Sequence, residues 1–165
     1  MANVNNSNLF QDIEGIRHIK DALVFLVKTE WNADIVNELE RGCLSVLQQY
    51  GIGYKTITVP GAIEIPVAIQ QCWANTNEPA AFIALGCIIK GGTPHFDYVC
   101  QSVTTGITQL NLQLPVPSIF GVLTVNGLQQ AQERIGGIHG HKGEEAAITA
   151  LKMMIVNRKL LQRDI

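Results

Sequence analysis

The stretch GGTPHFDY, residues 91–98, places an ionisable side chain where a flexible turn leads into a helix. Thr93 suits the N-cap, because its hydroxyl can accept a hydrogen bond from a free N–H of the first turn, and Pro94 suits the first helical position. His95 then lies among free N–H groups at the positive end of the helix dipole, where anions bind. The stretch predicts either a site for anion binding and proton transfer or an ordinary helix start with an incidental histidine.

The elements that must position this histidine alternate along the chain. Segments at 22–27, 54–59, 80–89 and 118–124 are predicted strands, and helices are predicted at 33–51, 65–74, 94–114, 128–135 and 144–161. The apolar stripe predicted for the helix at 94–114 consists of Val99, Val103, Ile107, Leu110 and Leu114. A loop rich in glycine and histidine separates the last two helices. The strands are apolar along their length, which predicts a parallel sheet covered by helices on both faces. Residues 1–18 are predicted to be an N-terminal arm, and 19–165 one doubly wound α/β domain.

Composition limits the classes of function. The 165 residues suffice for one sizeable core, and 47% hydrophobic against 16% charged residues indicates buried subunit contacts. A net charge of −2 without a basic block argues against nucleic acid, and the apolar runs are too short to span a membrane. The four cysteines are scattered and no leader is recognisable, so we expect reduced thiols in a cytoplasmic protein.

Polar and aromatic residues follow each predicted strand, at the edge where ligands of open parallel sheets bind. TEWNAD after the first strand contains Trp31 and Asn32, and VPGAIEIP after the second contains Glu64. CIIKGGTPH follows the third strand and ends in His95, and TVNG follows the fourth. Together they predict a site with an aromatic platform, a carboxylate and an anion-binding turn.

Ordinary structural roles would also explain these residues. Trp31 could pack in the core, and Glu64 could cap the helix that follows Gly61 or simply be solvated. Arg134 and Lys142 could be solvated charges of the late helices.

Metal and nucleotide cofactors are not predicted. His139 and His141 form an H-x-H pair, but no third ligand accompanies it at helical spacing. Gly91 and Gly92 fit neither the dinucleotide nor the nucleoside triphosphate motif.

Four segments resemble the lumazine synthase family in order and spacing, over about residues 22–157. They are VPGAIEIP, ALGCIIKGGTPHFDYV, FGVLTVNGLQQAQERIGG and GHKGEEAAITALKM. The resemblance implies a flavodoxin-like, three-layer αβα fold with a four-stranded parallel sheet. It also implies condensation of 5-amino-6-(D-ribitylamino)uracil with 3,4-dihydroxy-2-butanone 4-phosphate to 6,7-dimethyl-8-ribityllumazine in riboflavin biosynthesis. Phosphate and water are released, and no cofactor or metal takes part.

The same resemblance assigns roles to individual residues. His95 matches the proton-transfer residue, Trp31 the ring that stacks on the pyrimidine, and Glu64 the acceptor of ribityl hydroxyls. The implied substrate-binding set is Trp31, Asn32, Ala62, Ile63, Glu64, Cys87, Ile88, Ile89 and Phe120. The implied phosphate-binding set is Gly92, Thr93, Arg134 and Lys142. In the family, the residues that match Phe120, Arg134 and Lys142 come from the neighbouring subunit.

Family members assemble as pentamers, and many bacterial ones as shells of sixty subunits. Members that stop at pentamers carry an insertion in the segment that matches Arg134 to Lys142. This chain lacks the insertion, which favours a shell. Some positions depart from the family pattern: Gly92 often has an acidic counterpart, and Trp31 a phenylalanine. The residues that match His139 and His141 are usually lysine and asparagine, which leaves the pH dependence of this loop open.

Three other functions are compatible with parts of this pattern. One is an archaeal-type riboflavin synthase, which acts on two lumazine molecules. Another is a flavin or lumazine carrier without turnover, because fold alone does not determine function. The third is a purely structural shell, which would leave the residues at the strand ends unexplained.

Overall fold

A four-stranded parallel sheet forms the centre of the computed structural model, which describes residues 7–11, 19 and 21–162. Its strands are β1 (Leu23–Thr29), β2 (Gly53–Val59), β3 (Ala81–Ile89) and β4 (Ser118–Val125), in the order β2-β1-β3-β4. The helices are α1 (Ala33–Gln49), α2 (Ile65–Thr76), α3 (His95–Gln113), α4 (Leu128–Gln132) and α5 (Lys142–Gln162). The predicted α/β class with four parallel strands is confirmed.

Both faces of the sheet are buried, which explains the continuous apolar runs. On β1, Val24 and Leu26 join the core beneath α1 and α5, whereas Phe25 and Val27 join the core beneath α2 and α3. The helices pack in the same pairs, α1 with α5 and α2 with α3. The three-layer arrangement therefore follows from the alternation of side chains along each inner strand.

The edge strand β2 departs from the prediction that the strands are apolar throughout. It pairs only with β1, and Val59 is its only fully buried residue. Lys55 instead forms an ion pair with Glu78 and lies over the Phe25 ring. An edge strand has a partner on one side only, so polar side chains are tolerated there.

The segment between β4 and α5 also differs from the prediction. Helix α4 ends at Gln132, not at residue 135, and a hairpin of β5 (Ile135–Gly137) and β6 (Gly140–His141) replaces the expected loop. Gly136 and Gly140 have φ values of 113° and 73°, which favour glycine and allow so short a hairpin. Helix α5 begins at Lys142, two residues earlier than predicted.

The predicted N-terminal arm, residues 1–18, lies outside the described residues except for 7–11. The Nζ of Lys152 on α5 donates hydrogen bonds to the backbone oxygens of Asn8 at 3.1 Å and Gln11 at 2.7 Å. This short segment is thereby attached to α5. No helix in the described ranges has the length and apolarity needed to cross a membrane.

Candidate active site

A cavity of about 430 Å³ opens where the carboxyl ends of β1, β2 and β3 meet. Pairing of β1 with β3 stops at Lys28 and Leu85, whereas β3 continues to Ile89 beside β4. The chain leaves β1 towards β2 and leaves β3 towards β4, so the crevice lies at the point where strand order reverses, the usual ligand site of such sheets. Nine residues predicted for the site line it: Trp31, Asn32, Ala62, Ile63, Glu64, Cys87, Ile88, Ile89 and His95.

Trp31 lies at the rim of this cavity with its ring largely free. The side chain is 74% exposed, so the alternative that it packs in the core is wrong. The buried Thr29 holds the turn that carries Trp31, because its hydroxyl donates to the Trp31 backbone oxygen at 3.4 Å. An exposed indole at the mouth of a cavity offers a flat surface on which an aromatic ring can stack.

Glu64 stands beside Trp31, separated from it by a glycine. It ends a 3-10 turn (Ala62–Glu64) after β2 and makes no capping hydrogen bond to α2, so the alternative role as a helix cap is wrong. A Cβ built on Gly61 would lie 3.0 Å from Glu64 Oε2 and 3.6 Å from Trp31 Cδ1. Because Gly61 has no side chain, the carboxylate of Glu64 and the indole of Trp31 can both lie close to its Cα.

His95 is the first residue of α3 and borders the same cavity. The N-cap is Pro94, one residue later than predicted, and no side chain caps this helix, so the expected Thr93 cap is wrong. Gly92 and Thr93 are exposed and do not line the cavity. Because the Gly92 Cα has open space around it, with nothing within 4 Å of a Cβ built there, the turn beside His95 is accessible to a ligand.

Phe120 and Lys142 lie elsewhere, in a second cavity of about 710 Å³ along β4 between α3 and α5. The Phe120 ring is 40% exposed, and Lys142 Nζ pairs with Glu145 Oε1 at 2.6 Å. Neither residue lines the first cavity. Two of the predicted site residues of one chain therefore lie in a cavity separate from the first.

Arg134 follows α4 and lines neither of these two cavities. One terminal nitrogen of its guanidinium donates to the Gln130 backbone oxygen at 2.7 Å and lies 3.8 Å from Glu133. Its Nε is buried and has no hydrogen-bond partner among the described residues. The guanidinium is thus held in place while one buried donor stays unused.

Comparison with known proteins places the chain in a family. The model of the 6,7-dimethyl-8-ribityllumazine synthase family matches residues 21–158. A protein of Porphyromonas gingivalis with that name is 46% identical over 150 residues, covering 89% of this chain and 92% of the relative. Proteins with the same name from Parabacteroides distasonis and Phocaeicola vulgatus are 42% and 40% identical, over 87% and 93% of this chain and 91% and 93% of their own lengths.

The chain belongs to the 6,7-dimethyl-8-ribityllumazine synthase family. Membership confirms the predicted activity, a transferase reaction of riboflavin biosynthesis in which a condensation forms 6,7-dimethyl-8-ribityllumazine. It also agrees with the flavodoxin-like fold, a parallel sheet in the order β2-β1-β3-β4 between two layers of helices.

Cys87 lines the first cavity with a buried thiol. Its side chain is 4% exposed, and burial raises the pKa of the thiol to about 11. The thiolate is the nucleophilic form of cysteine, so Cys87 is unreactive near neutral pH. What Cys87 offers a ligand is its backbone and the apolar surface of its side chain.

The two histidines of the hairpin are placed apart from the first cavity. His139 Nε2 lies 3.9 Å from Glu133 Oε2, and the His141 ring packs against Gly42 of α1. In the described part of the chain, no group of three His, Cys, Asp or Glu side chains is arranged to hold a metal ion.

Three cavity residues were not recognised from the sequence. Thr29 and Gly61 line the cavity from the ends of β1 and β2, and Val99, expected in the buried stripe of α3, lines it as well. A small or polar residue at the very end of a strand was the available signal for the first two. Val99 carried none, because a residue one turn into a helix can face either the core or the site.

Proposed function

We propose that this chain condenses 5-amino-6-(D-ribitylamino)uracil with 3,4-dihydroxy-2-butanone 4-phosphate in the first cavity. The observation that carries the proposal is that Trp31, Glu64 and His95 line one cavity, although they follow three different strands. In this arrangement the pyrimidine stacks on Trp31, and its ribityl hydroxyls donate to the Glu64 carboxylate. The uracil edge meets the backbone at the end of β3.

His95 is proposed as the proton carrier of the reaction. Imine formation, loss of phosphate and ring closure each require a proton to move, and histidine is suited to this near neutral pH. The phosphate binds at the turn formed by Gly92 and Thr93, beside the free N–H groups that begin α3. The largest part of the acceleration comes from holding the two substrates in register.

The proposed site is completed by a neighbouring subunit. Phe120, Lys142 and Arg134 do not line the first cavity of their own chain, so a head-to-tail contact has to supply them. Contacts of this kind form a ring when the rotation from one subunit to the next closes. The surface supports such contacts: α3 carries no charged residue from Cys100 to Gln113, and exposed apolar side chains include Leu112 at 83% and Ile138 at 80%. We therefore propose a pentamer that assembles further into a shell of sixty subunits in the cytoplasm.

A mixing assay tests the reaction. The purified protein is incubated with the pyrimidine alone, with the butanone phosphate alone, with both, and with 6,7-dimethyl-8-ribityllumazine alone. The proposal expects fluorescent lumazine only when both substrates are present. Riboflavin formed from lumazine alone would instead indicate a riboflavin synthase, and binding without product would indicate a carrier.

Complementation between two variants tests the shared site. His95→Ala and Arg134→Ala subunits are dissociated, mixed in equal amounts and reassembled. If each site takes His95 from one chain and Arg134 from the next, roughly a quarter of the sites in the hybrids are intact. At a butanone phosphate concentration far below the raised KM of Arg134→Ala, activity then rises well above that of either variant alone. Hybrids no more active than the two variants would contradict the shared site, and light scattering on the same samples measures the size of the assembly.

A further inference from the structure

Asn32 is the residue that joins the two sides of the crevice. Its backbone is left-handed, with φ 55° and ψ 46°, and its backbone oxygen accepts the hydrogen bonds from Ile35 and Val36 that begin α1. An asparagine before a helix normally accepts a hydrogen bond from the first turn with its side chain. Asn32 makes no such bond. Its Nδ2 donates instead to the backbone oxygen of Cys87 at 2.8 Å, across 55 positions of the sequence.

The place of this bond in the sheet explains its importance. β1 and β3 are paired as far as Leu85, and beyond that residue the edge of β3 that faces β1 has no strand beside it. The amide of Asn32 reaches the open edge two residues further on, at Cys87. A side chain three residues beyond the end of β1 thus supplies the donor that the backbone of β1 no longer provides. The bond connects the residue that follows Trp31 to β3 on the other side of the crevice.

We propose that Asn32 is a positioning residue. Its side chain ties the turn that carries Trp31 to the end of β3, and thereby holds the aromatic platform in register with the backbone of Ile88 and Ile89. This inference rests on the proposed function, in which the pyrimidine stacks on Trp31 and is read by that backbone. It differs from the role implied by the resemblance, in which Asn32 contacts the substrate.

The chain offers a matched control at Asn77. Asn32 and Asn77 are the non-glycine residues with positive φ in the described ranges, and Asn77 ends α2 with φ 49°. No hydrogen bond of the Asn77 side chain occurs within those ranges, and it does not line the first cavity. Replacing either asparagine by aspartate removes the amide donor and keeps a residue that tolerates this backbone. Replacing it by glycine removes the donor without adding charge.

The first measurement needs no substrate. In a Trp73→Phe background Trp31 is the remaining tryptophan, and time-resolved fluorescence anisotropy reports its local motion. Asn32→Asp and Asn32→Gly are both expected to increase the amplitude of fast Trp31 motion, whereas Asn77→Asp and Asn77→Gly leave it at the parent value. Unchanged Trp31 motion in both Asn32 variants would overturn the proposal.

The second measurement separates positioning from direct binding. Loss of one neutral hydrogen bond is expected to lower kcat about 3- to 10-fold and to raise KM for the pyrimidine, with KM for the butanone phosphate unchanged. If only KM for the pyrimidine rises in both variants, Asn32 is a direct ligand and the proposal is wrong. Failure of the proposed function would look different, because the parent protein would form no lumazine while the anisotropy of the free protein could still be compared.

Discussion

Replacing Gly61 by alanine tests the geometry of the site with little effect on the stability of the fold. Gly61 has φ −147° and ψ −179°, an extended conformation that alanine adopts without strain. The added methyl group would lie 3.6 Å from Trp31 Cδ1, an ordinary contact, but 3.0 Å from Glu64 Oε2. The carboxylate therefore has to move by a few tenths of an ångström. Because Glu64 is exposed and makes no capping bond, it moves at little cost, and we expect unfolding free energy to change by less than about 1 kcal/mol.

Binding of the pyrimidine is expected to suffer more than folding. In the proposed site, a displaced carboxylate makes poorer hydrogen bonds to the ribityl hydroxyls, and partial loss of such a bond costs about 0.7–1.4 kcal/mol. This predicts a rise of about 3- to 10-fold in KM for the pyrimidine, with KM for the butanone phosphate unchanged. Steady-state kinetics followed by lumazine fluorescence and urea unfolding measure the two quantities in the same preparation.

Gly127→Ala is the matched control for this prediction. Gly127 is also extended, with φ −170°, it follows β4 at the same end of the sheet, and a Cβ there would meet nothing within 4 Å. The control should keep the parent kinetics and stability. The reasoning is refuted if Gly61→Ala leaves KM for the pyrimidine unchanged, since the carboxylate would then not contact the substrate. A loss of stability above about 2 kcal/mol would show that Glu64 is not free to move.

Three further predictions follow from the same structure. His95→Ala is expected to be slow but active, because substrate positioning supplies most of the acceleration. Arg134→Ala is expected chiefly to raise KM for the butanone phosphate. Steady-state kinetics measure both, and complete inactivity of His95→Ala, with folding and assembly intact, would contradict the prediction. Gly143→Ala is expected to lower the free energy of unfolding by about 3 kcal/mol or more, because its Cβ would lie 2.0 Å from a backbone oxygen of α1. Gly42→Ala should lower it less, because the added Cβ meets a histidine ring that can move. Urea unfolding measures both variants, and the reverse order would contradict the prediction. Burial raises the pKa of Cys87 from 9.0 to about 11, so the stability contributed by its neutral thiol is complete below pH 9 and is lost as pH rises towards 11. Unfolding free energy measured across this range should therefore fall less steeply in Cys87→Ala than in the parent, and equal slopes would count against the assignment.

The sequence predicts the strands and the long helices well, because burial on both faces leaves a strong apolar signal. The run at 80–89 becomes β3, and the stripe of Val103, Ile107 and Leu110 becomes the buried face of α3. The hairpin of β5 and β6 could not be recognised in the same way. Its strands have three and two residues and consist largely of glycine and histidine, so no alternation of apolar residues marks them.

The candidate site is predictable only in part, for physical reasons. The rule that ligands bind at the carboxyl ends of parallel strands brings Trp31, Glu64 and His95 together without any knowledge of contacts. The bond from Asn32 to Cys87 is not predictable in this way, because it joins residues far apart in sequence and requires a left-handed backbone at Asn32. In the proposed site, Phe120 and Arg134 come from a second chain, and residue patterns within one chain do not show which surfaces of two chains meet.

Helix α3 borders both cavities and, in the proposed assembly, connects the contact between subunits with the site. Its first residue, His95, borders the first cavity, while its later residues Thr104, Thr108 and Asn111 line the second. An α-helix rises 1.5 Å per residue, so α3 is a rod of about 28 Å that begins in one cavity and borders the other. In the proposed ring, a neighbour seated against the second cavity therefore also restrains α3. The contact that supplies Phe120, Arg134 and Lys142 to the next site would then also hold His95 of this subunit in place. Assembly would thus affect activity without a conformational change.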